Sequence, residues 1–129
     1  MRKISLILMA VFLISCSNKE LIISEIPFKF GFNNAEPNLV SSKGKLSMSW
    51  IQSIKGKEAT LYYSNFVNDN WETPVKITSG TDWFVNWADY PANATNGELL
   101  LTSHLEKSAT GTYTYDILLN LRKLNGEIV

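Results

Sequence analysis

The chain has 129 residues and a formal net charge of zero at pH 7. Balanced charge offers no electrostatic basis for binding nucleic acid. Aromatic residues make up 12% of the chain and include four Trp, which excludes a disordered protein, and the length corresponds to roughly one small domain.

The first residues have the organisation of a bacterial export signal. Arg2 and Lys3 form a short basic region, and an apolar run at residues 4–14 follows it. About eleven apolar residues are within the usual length of a signal-peptide core and too few to cross a bilayer as a helix. We therefore predict a signal peptide over residues 1–15. A plain secretory signal or an uncleaved anchor helix is the alternative interpretation.

The end of this segment, Leu13-Ile14-Ser15-Cys16, resembles the lipobox of bacterial lipoproteins, in which the Cys is lipidated and becomes the new N-terminus. The resemblance implies an acylated Cys16 and a membrane anchor, to which each buried CH₂ adds about 0.8 kcal/mol. Cys16 is the only Cys, so it cannot form an intramolecular disulfide. The polar run at residues 17–20 resembles the surface-export signal of Bacteroidota lipoproteins, which favours the outer membrane.

The segment after the lipobox is interpreted as a tether. Residues 16–38 show no clear period and contain Pro27 and Pro37, so we assign them to a tether and lead-in. Beyond the signal segment, no apolar run approaches the about 18 residues that a second membrane span requires.

From residue 39 onward the pattern predicts an all-β fold. In a first unit, residues 39–80, apolar and polar residues alternate over residues 46–51, and residues 60–66 form a β-branched and aromatic strand. Lys55-Gly56-Lys57 predicts the turn between these strands. Pro74 then indicates an edge segment, because Pro cannot donate a hydrogen bond to a neighbouring strand.

A second unit, residues 81–129, repeats this pattern. Residues 97–103 align with residues 44–50 at an offset of 53 residues, and a polar turn at residues 107–112 follows. A strand with strict alternation comes next, and one of its faces carries Tyr113, Tyr115, Ile117, Leu119 and Leu121. Repeats of about 40 to 50 residues with several strands each are typical of propeller blades, although two copies can also be similar by chance.

The stretch between the units, residues 80–91, holds two Trp, a Phe, a Tyr and two Asp. Together with Leu61-Tyr62-Tyr63-Ser64 and Asn70-Trp71-Glu72-Thr73-Pro74, it resembles the N-terminal blades of sialidase-like (BNR-repeat) β-propeller proteins. The resemblance covers about residues 40–120 and implies about two antiparallel blades of a six-bladed propeller. Because propellers need four to eight blades, we expect the chain to be a fragment of a longer protein.

The Asp-box of that family, Ser-x-Asp-x-Gly-x-Thr-Trp, is degenerate in this chain. Ser64 and Trp71 match the two ends of the box at the family's spacing. Phe66, Asn68 and Asn70 replace its central Asp, Gly and Thr. The ends of the turn are therefore kept, and its hydrogen-bonding centre is lost.

Sialidase chemistry needs an acid/base carboxylate, a Tyr–Glu nucleophile pair and three Arg residues that hold the sugar carboxylate. The family's Arg-Ile-Pro motif has its nearest match in Glu25-Ile26-Pro27, where an acid replaces the Arg. The chain has only two Arg, Arg2 in the predicted signal and Arg122 near the end. An Arg triad is therefore impossible, and we expect no catalysis from this chain.

The candidate site residues lie in the stretch between the units. Asp82, Asp89 and Tyr90 are weak catalytic candidates, with the capping of turns as the alternative role of the two Asp. Trp83 and Trp87 are candidates for glycan stacking, with core filling as the alternative.

Other reactive residues carry weaker signals. His104 is the only His, has no second ligand at metal spacing and is interpreted as a hydrogen-bonded strand residue, so no metal or cofactor is expected. Ser103 and His104 lack an assignable acidic partner for a hydrolase triad. Asn93-Ala94-Thr95 matches a glycosylation sequon but is interpreted as loop.

Three functional hypotheses follow. The first is a lipid-anchored envelope protein with a partial sialidase-like propeller that is non-catalytic and binds carbohydrate. The alternative is the N-terminal part of an exo-sialidase-like glycoside hydrolase. The third is a truncated, non-functional chain whose open sheet edge would favour aggregation. The expected partners are a membrane, through the lipid, and carbohydrate, and the oligomeric state is left open.

Overall fold

The computed structural model describes residues 20–54, 58–86, 88–125 and 127–129. Within these ranges the chain is all-β, as predicted, with eight strands and no helix. The described part accordingly contains no helix of the length and apolarity needed to cross a membrane. The predicted signal peptide and the predicted turn at residues 55–57 lie outside the described residues.

The strands form two antiparallel sheets, and neither closes into a barrel within the described ranges. Sheet A contains β1 (Asn34–Ser42), β2 (Lys45–Ser53), β3 (Ala59–Val67), β4 (Asn70–Trp71) and β5 (Val75–Gly80). Sheet B contains β6 (Ala92–Thr95), β7 (Leu99–Lys107) and β8 (Tyr115–Lys123). The long strands of each sheet follow one another as a meander, with β2 between β1 and β3 and with β7 between β6 and β8.

The first strand begins earlier than the sequence pattern indicates. β1 starts at Asn34, inside the segment predicted as lead-in. Its pairing with β2 shifts register between Ala35 and Asn38, and Glu36 has a positive φ of 53°. Pro37 also lies in this irregularity, on an edge strand where a missing N–H is tolerated. The bulge interrupts the alternation that would have identified the strand.

The two aligned glycines hold equivalent positions. Gly44 lies in the turn between β1 and β2 with a φ of 75°, and Gly97 lies in the turn between β6 and β7 with a φ of 93°. Both conformations favour glycine. The two turns are also neighbours, because a Cβ on Gly97 would lie 3.7 Å from Lys43 Cδ. The sequence repeat therefore corresponds to a repeated hairpin in the structure.

The sheets pack against each other through one face each, here called the inner faces. Leu61, Tyr63 and Ile77 of sheet A and Leu100 of sheet B form one buried cluster. Full burial of such a side chain contributes about 1.5–3 kcal/mol. Arg122 Nη2 of sheet B also donates a hydrogen bond to the Ile77 carbonyl oxygen, 2.5 Å away.

The interpretation of Asn93 as a loop residue is wrong. Asn93 lies in β6, pairs with Thr102 of β7 and is buried at the inner face. β6 is only four residues long and is built from small side chains after Pro91, so its sequence carries little β signal.

The lead-in segment packs on part of the outer face of sheet A, around Trp50. Trp50 stacks between Phe30 and Tyr62, at centroid distances of 6.0 and 5.7 Å, and is only 2% exposed. Phe28 meets the Trp50 ring edge-on at 5.0 Å. The segment predicted as a tether thus contributes aromatic rings to the packing of sheet A.

Candidate functional site

The stretch at residues 80–91 runs from the end of sheet A to the start of sheet B. Its first part pairs with β7, because Lys107 N donates to Asp82 O at 2.8 Å and Phe84 N donates to Leu105 O at 3.1 Å. Trp83 bridges Glu106 in the same short ladder. The backbone of Asp82 and Trp83 is therefore hydrogen-bonded to the edge of sheet B and does not belong to a free loop.

Trp83 packs inward. Its ring lies 4.2 Å from the His104 ring, centroid to centroid, and is half-buried against the core cluster. Its Nε1 is buried without a hydrogen-bond partner in the described part of the chain. Trp83 therefore fills the core, which was the alternative to its prediction as a glycan-stacking residue. Trp87 and Cys16 lie outside the described residues.

His104 is buried. Only 5% of the residue is exposed, and neither ring nitrogen has a hydrogen-bond partner among the described residues, contrary to the expectation of a hydrogen-bonded His. Burial lowers the pKa of His104, and Glu106, whose Oε2 lies 3.6 Å from Nε2, partly opposes that shift. Consecutive strand residues point to opposite faces, so Ser103 faces away from the imidazole and the two do not form a hydrolase dyad.

Asn86 orders the loop that carries Asp89 and Tyr90. Its Oδ1 accepts hydrogen bonds from the backbone N–H groups of Ala88 and Asp89, at 2.6 and 3.0 Å. Its Nδ2 donates to Asp89 Oδ2 at 3.0 Å. An Asx turn of this kind fixes the loop locally. The Asp89 carboxylate is thereby oriented by its own loop and remains exposed to solvent.

Asp89 and Tyr90 border a common depression, which we name the Tyr90 cleft. It has a volume of about 190 Å³ and is lined by Asp89, Tyr90, Ser103, His104, Leu105 and Ile117. Tyr90 is 49% exposed, so its ring is accessible from solvent. Drug-sized ligand pockets measure about 300–1,000 Å³, so the Tyr90 cleft fits a smaller group, of about one sugar ring.

Asp82 does not share this cleft. It borders a separate depression with Lys107, Ser108, Ala109 and Thr110. Glycosidases in general place two carboxyl groups across one scissile bond, about 5–9.5 Å apart. The Tyr90 cleft has a single carboxylate in its lining, that of Asp89.

The charge of the Tyr90 cleft favours neutral ligands over anionic ones. Its lining contains an acid and neither Lys nor Arg, so it repels anionic groups and accepts hydrogen bonds from hydroxyl groups. Across the described ranges, no three His, Cys, Asp or Glu side chains are grouped to hold a metal ion.

The sequence suggested Asp89 and Tyr90 as candidates, but it did not predict which strand residues lie opposite them. Ser103 and Ile117 reach the cleft because β7 and β8 pair beside the 85–90 loop. The repeat alignment placed both strands, but nothing in it indicated which strand residues the loop would meet. Comparisons of the chain with protein-family models, curated proteins and solved structures found no match.

Proposed function

We propose that the chain is a lipid-anchored, non-catalytic module of a bacterial cell envelope that binds neutral carbohydrate in the Tyr90 cleft. The observation that carries the proposal is the accessible Tyr90 ring beside the single, oriented carboxylate of Asp89. Trp83 is not needed for this site, because its ring packs against His104.

The two side chains supply the two contacts that a sugar requires. The apolar face of a pyranose packs on an aromatic ring, and Tyr adds a hydroxyl that donates or accepts a hydrogen bond. A carboxylate accepts charge-assisted hydrogen bonds from sugar hydroxyls. Ser103 adds a third polar group to the lining. Because the same carboxylate repels a sugar acid, neutral sugars are favoured over sialic acid.

The absence of a second carboxylate in the cleft supports a binding rather than a hydrolytic role. Asp89 could act as acid or base and Tyr90 as a Tyr nucleophile, but the cleft lining has neither a second carboxyl group nor the Glu that a sialidase pairs with its Tyr. Asp82 would have to leave its ladder with Lys107 to reach the cleft.

The sheets themselves are proposed to be two blades of a sialidase-like propeller. Three features support this: each sheet is a meander, the turns at Gly44 and Gly97 are equivalent, and the inner faces pack on each other. The β3–β4 hairpin also carries the retained ends of the Asp-box, with Ser64 Oγ donating to the Glu72 carbonyl oxygen at 2.8 Å. In this proposal Cys16 carries the lipid, and the residues up to β1 connect it to sheet A.

The test measures glycan binding and glycoside hydrolysis with the same preparation of the protein. The full chain is applied to a printed array of mono- and oligosaccharides that includes sialylated glycans, and is incubated with reporter glycosides, sialosides among them. We expect binding to neutral glycans and no release of the reporter. Turnover of a reporter glycoside would refute the non-catalytic role, and an array without signal would refute carbohydrate binding.

A further inference from the structure

The inner face of sheet B carries a row of polar side chains that crosses all three strands. Asn93 of β6 lies directly opposite Thr102 of β7, and Thr102 lies directly opposite Asn120 of β8. Side chains at directly opposite positions have Cβ atoms about 4.5–5.5 Å apart. His104 is two residues beyond Thr102 and therefore shares this face, and the Trp83 ring packs on His104. We call these five residues the polar row.

The polar row contains six buried side-chain atoms that have no hydrogen-bond partner in the described part of the chain. They are Asn93 Oδ1, Thr102 Oγ1, Asn120 Nδ2, both ring nitrogens of His104 and Trp83 Nε1. Thr102 and His104 are only 1% and 5% exposed, so the surrounding solvent does not reach them. An unpaired buried polar atom lowers the equilibrium constant of folding by roughly fivefold to more than a hundredfold. Five side chains with this cost would together cancel most of the stability of a small domain.

We propose that the polar row binds buried water between the two sheets. Its six atoms are a mixture of donors and acceptors. Trp83 Nε1 and Asn120 Nδ2 donate, Asn93 Oδ1 accepts, and the Thr102 hydroxyl and an uncharged His104 do both. An anion would satisfy only the donors and a cation only the acceptors, whereas a water molecule donates and accepts. Buried waters typically make about three hydrogen bonds each, so six atoms require at least two of them.

This water would extend the contact between the sheets beyond their apolar cluster. Leu100, which belongs to that cluster, lies two residues before Thr102 and on the same face, so the cluster and the polar row are neighbours. Asn93 already connects the row to sheet A, because its Nδ2 donates to Ser49 Oγ at 2.8 Å. Within the polar row, His104 is the residue that also lines the Tyr90 cleft. The inference therefore does not depend on sugar binding.

The first test counts the bound water. Oxygen-17 relaxation dispersion of the solvent reports the number of water molecules that stay in a protein for longer than the protein tumbles. Applied to the full chain in non-ionic detergent, it should find at least two such molecules. Fewer than two would overturn the proposal. Tyr90→Ala should leave the number unchanged, so a failure of the sugar site and a failure of the water site are distinguishable.

The second test is the sign of one substitution. Thr102→Val keeps the shape of the side chain and replaces the hydroxyl with a methyl group. If Oγ1 is hydrogen-bonded to water, Thr102→Val should lower the equilibrium constant of folding about fivefold more than a control substitution, because that hydrogen bond is lost. A hydroxyl without a partner gives the opposite sign, since its removal relieves the cost of an unpaired buried group.

The matched control is Thr60→Val, at a half-buried Thr of β3, which measures the effect of the same exchange on another strand. Urea denaturation of the full chain gives both equilibrium constants. A Thr102→Val variant that is as stable as the control, or more stable, overturns the proposal even if long-lived water is found elsewhere in the protein.

Discussion

The Asn93 side-chain amide donates a hydrogen bond to Ser49 Oγ across 2.8 Å and thereby joins the two sheets at a buried position. The same Nδ2 lies 3.1 Å from the Asn38 carbonyl oxygen, so one amide connects β6 to both β2 and β1. A residue that resembles a surface glycosylation sequon is in fact a contact between the sheets.

Asn93→Ala should lower the free energy of unfolding by about 1–3 kcal/mol, because it leaves the Ser49 hydroxyl without this partner at a buried position. Urea denaturation measured by tryptophan fluorescence checks the value. Thr73→Ala, at an exposed position, is the matched control and should change the free energy by less than about 0.5 kcal/mol. An Asn93 variant as stable as the control would mean that this contact does not stabilise the packing of the sheets.

Gly44→Ala and Gly97→Ala should each destabilise the chain by about 1–2 kcal/mol. Both glycines have positive φ, and neither added Cβ would come closer than 3.7 Å to a neighbouring atom, so backbone strain is the shared cause. Thermal unfolding of the two variants measures the effect. Because the turns are equivalent, the two losses should be similar, and a loss confined to one variant would contradict the equivalence.

The chain should lose stability as the pH falls below about 6.5, the ordinary pKa of His. The folded state holds His104 with a lowered pKa, so on acidification the unfolded state takes up the proton first and is favoured. His104→Phe keeps an aromatic ring beside Trp83 and removes the titration. Urea denaturation between pH 5 and about 7.5 should show a steeper decline for the wild type than for the variant. Equal declines in the stability of the two proteins would mean that a group other than His104 causes the pH dependence.

Cys16→Ala should abolish the lipid anchor, because the acylated sulfur is lost. Metabolic labelling with a palmitate analogue, followed by separation of the membranes, measures both lipidation and location. Ser15→Ala, which keeps the cysteine, is the control and should still be labelled. Label in the Cys16 variant, or its absence from the wild type, would contradict the lipoprotein proposal.

The strands with strong alternation could be predicted from the sequence. From Tyr115 onward the faces of β8 follow the expected order, with Ile117 and Leu119 on one side and Leu118 on the other, because each residue pairs with β7 without a bulge. The placement of Tyr113 on the same strand face is wrong, because the strand begins at Tyr115 and Tyr113 lies in the preceding turn. β1 and β6 could not be predicted in the same way. A bulge at Glu36 interrupts the first, and the second consists of four small residues.

The arrangement of the candidate site could be predicted only in part, for a physical reason. Asp89 and Tyr90 are adjacent in sequence, and their combination of acid and aromatic ring is visible there. The burial of Trp83 against His104 depends on a β-bridge between residues 23 positions apart, Trp83 and Glu106. Contacts of this kind arise from sheet pairing and leave no local pattern.

The affinity of the full chain for a neutral glycan from the array, compared among wild type and three variants, tests the central claim most directly. We predict that Tyr90→Ala weakens binding by about tenfold or more, that Tyr90→Phe retains most of it, and that Tyr113→Ala has no effect. Tyr113 is a fair control because it is 90% exposed and does not line the cleft. Equal affinities for wild type and Tyr90→Ala would contradict the assignment of the Tyr90 cleft as the binding site.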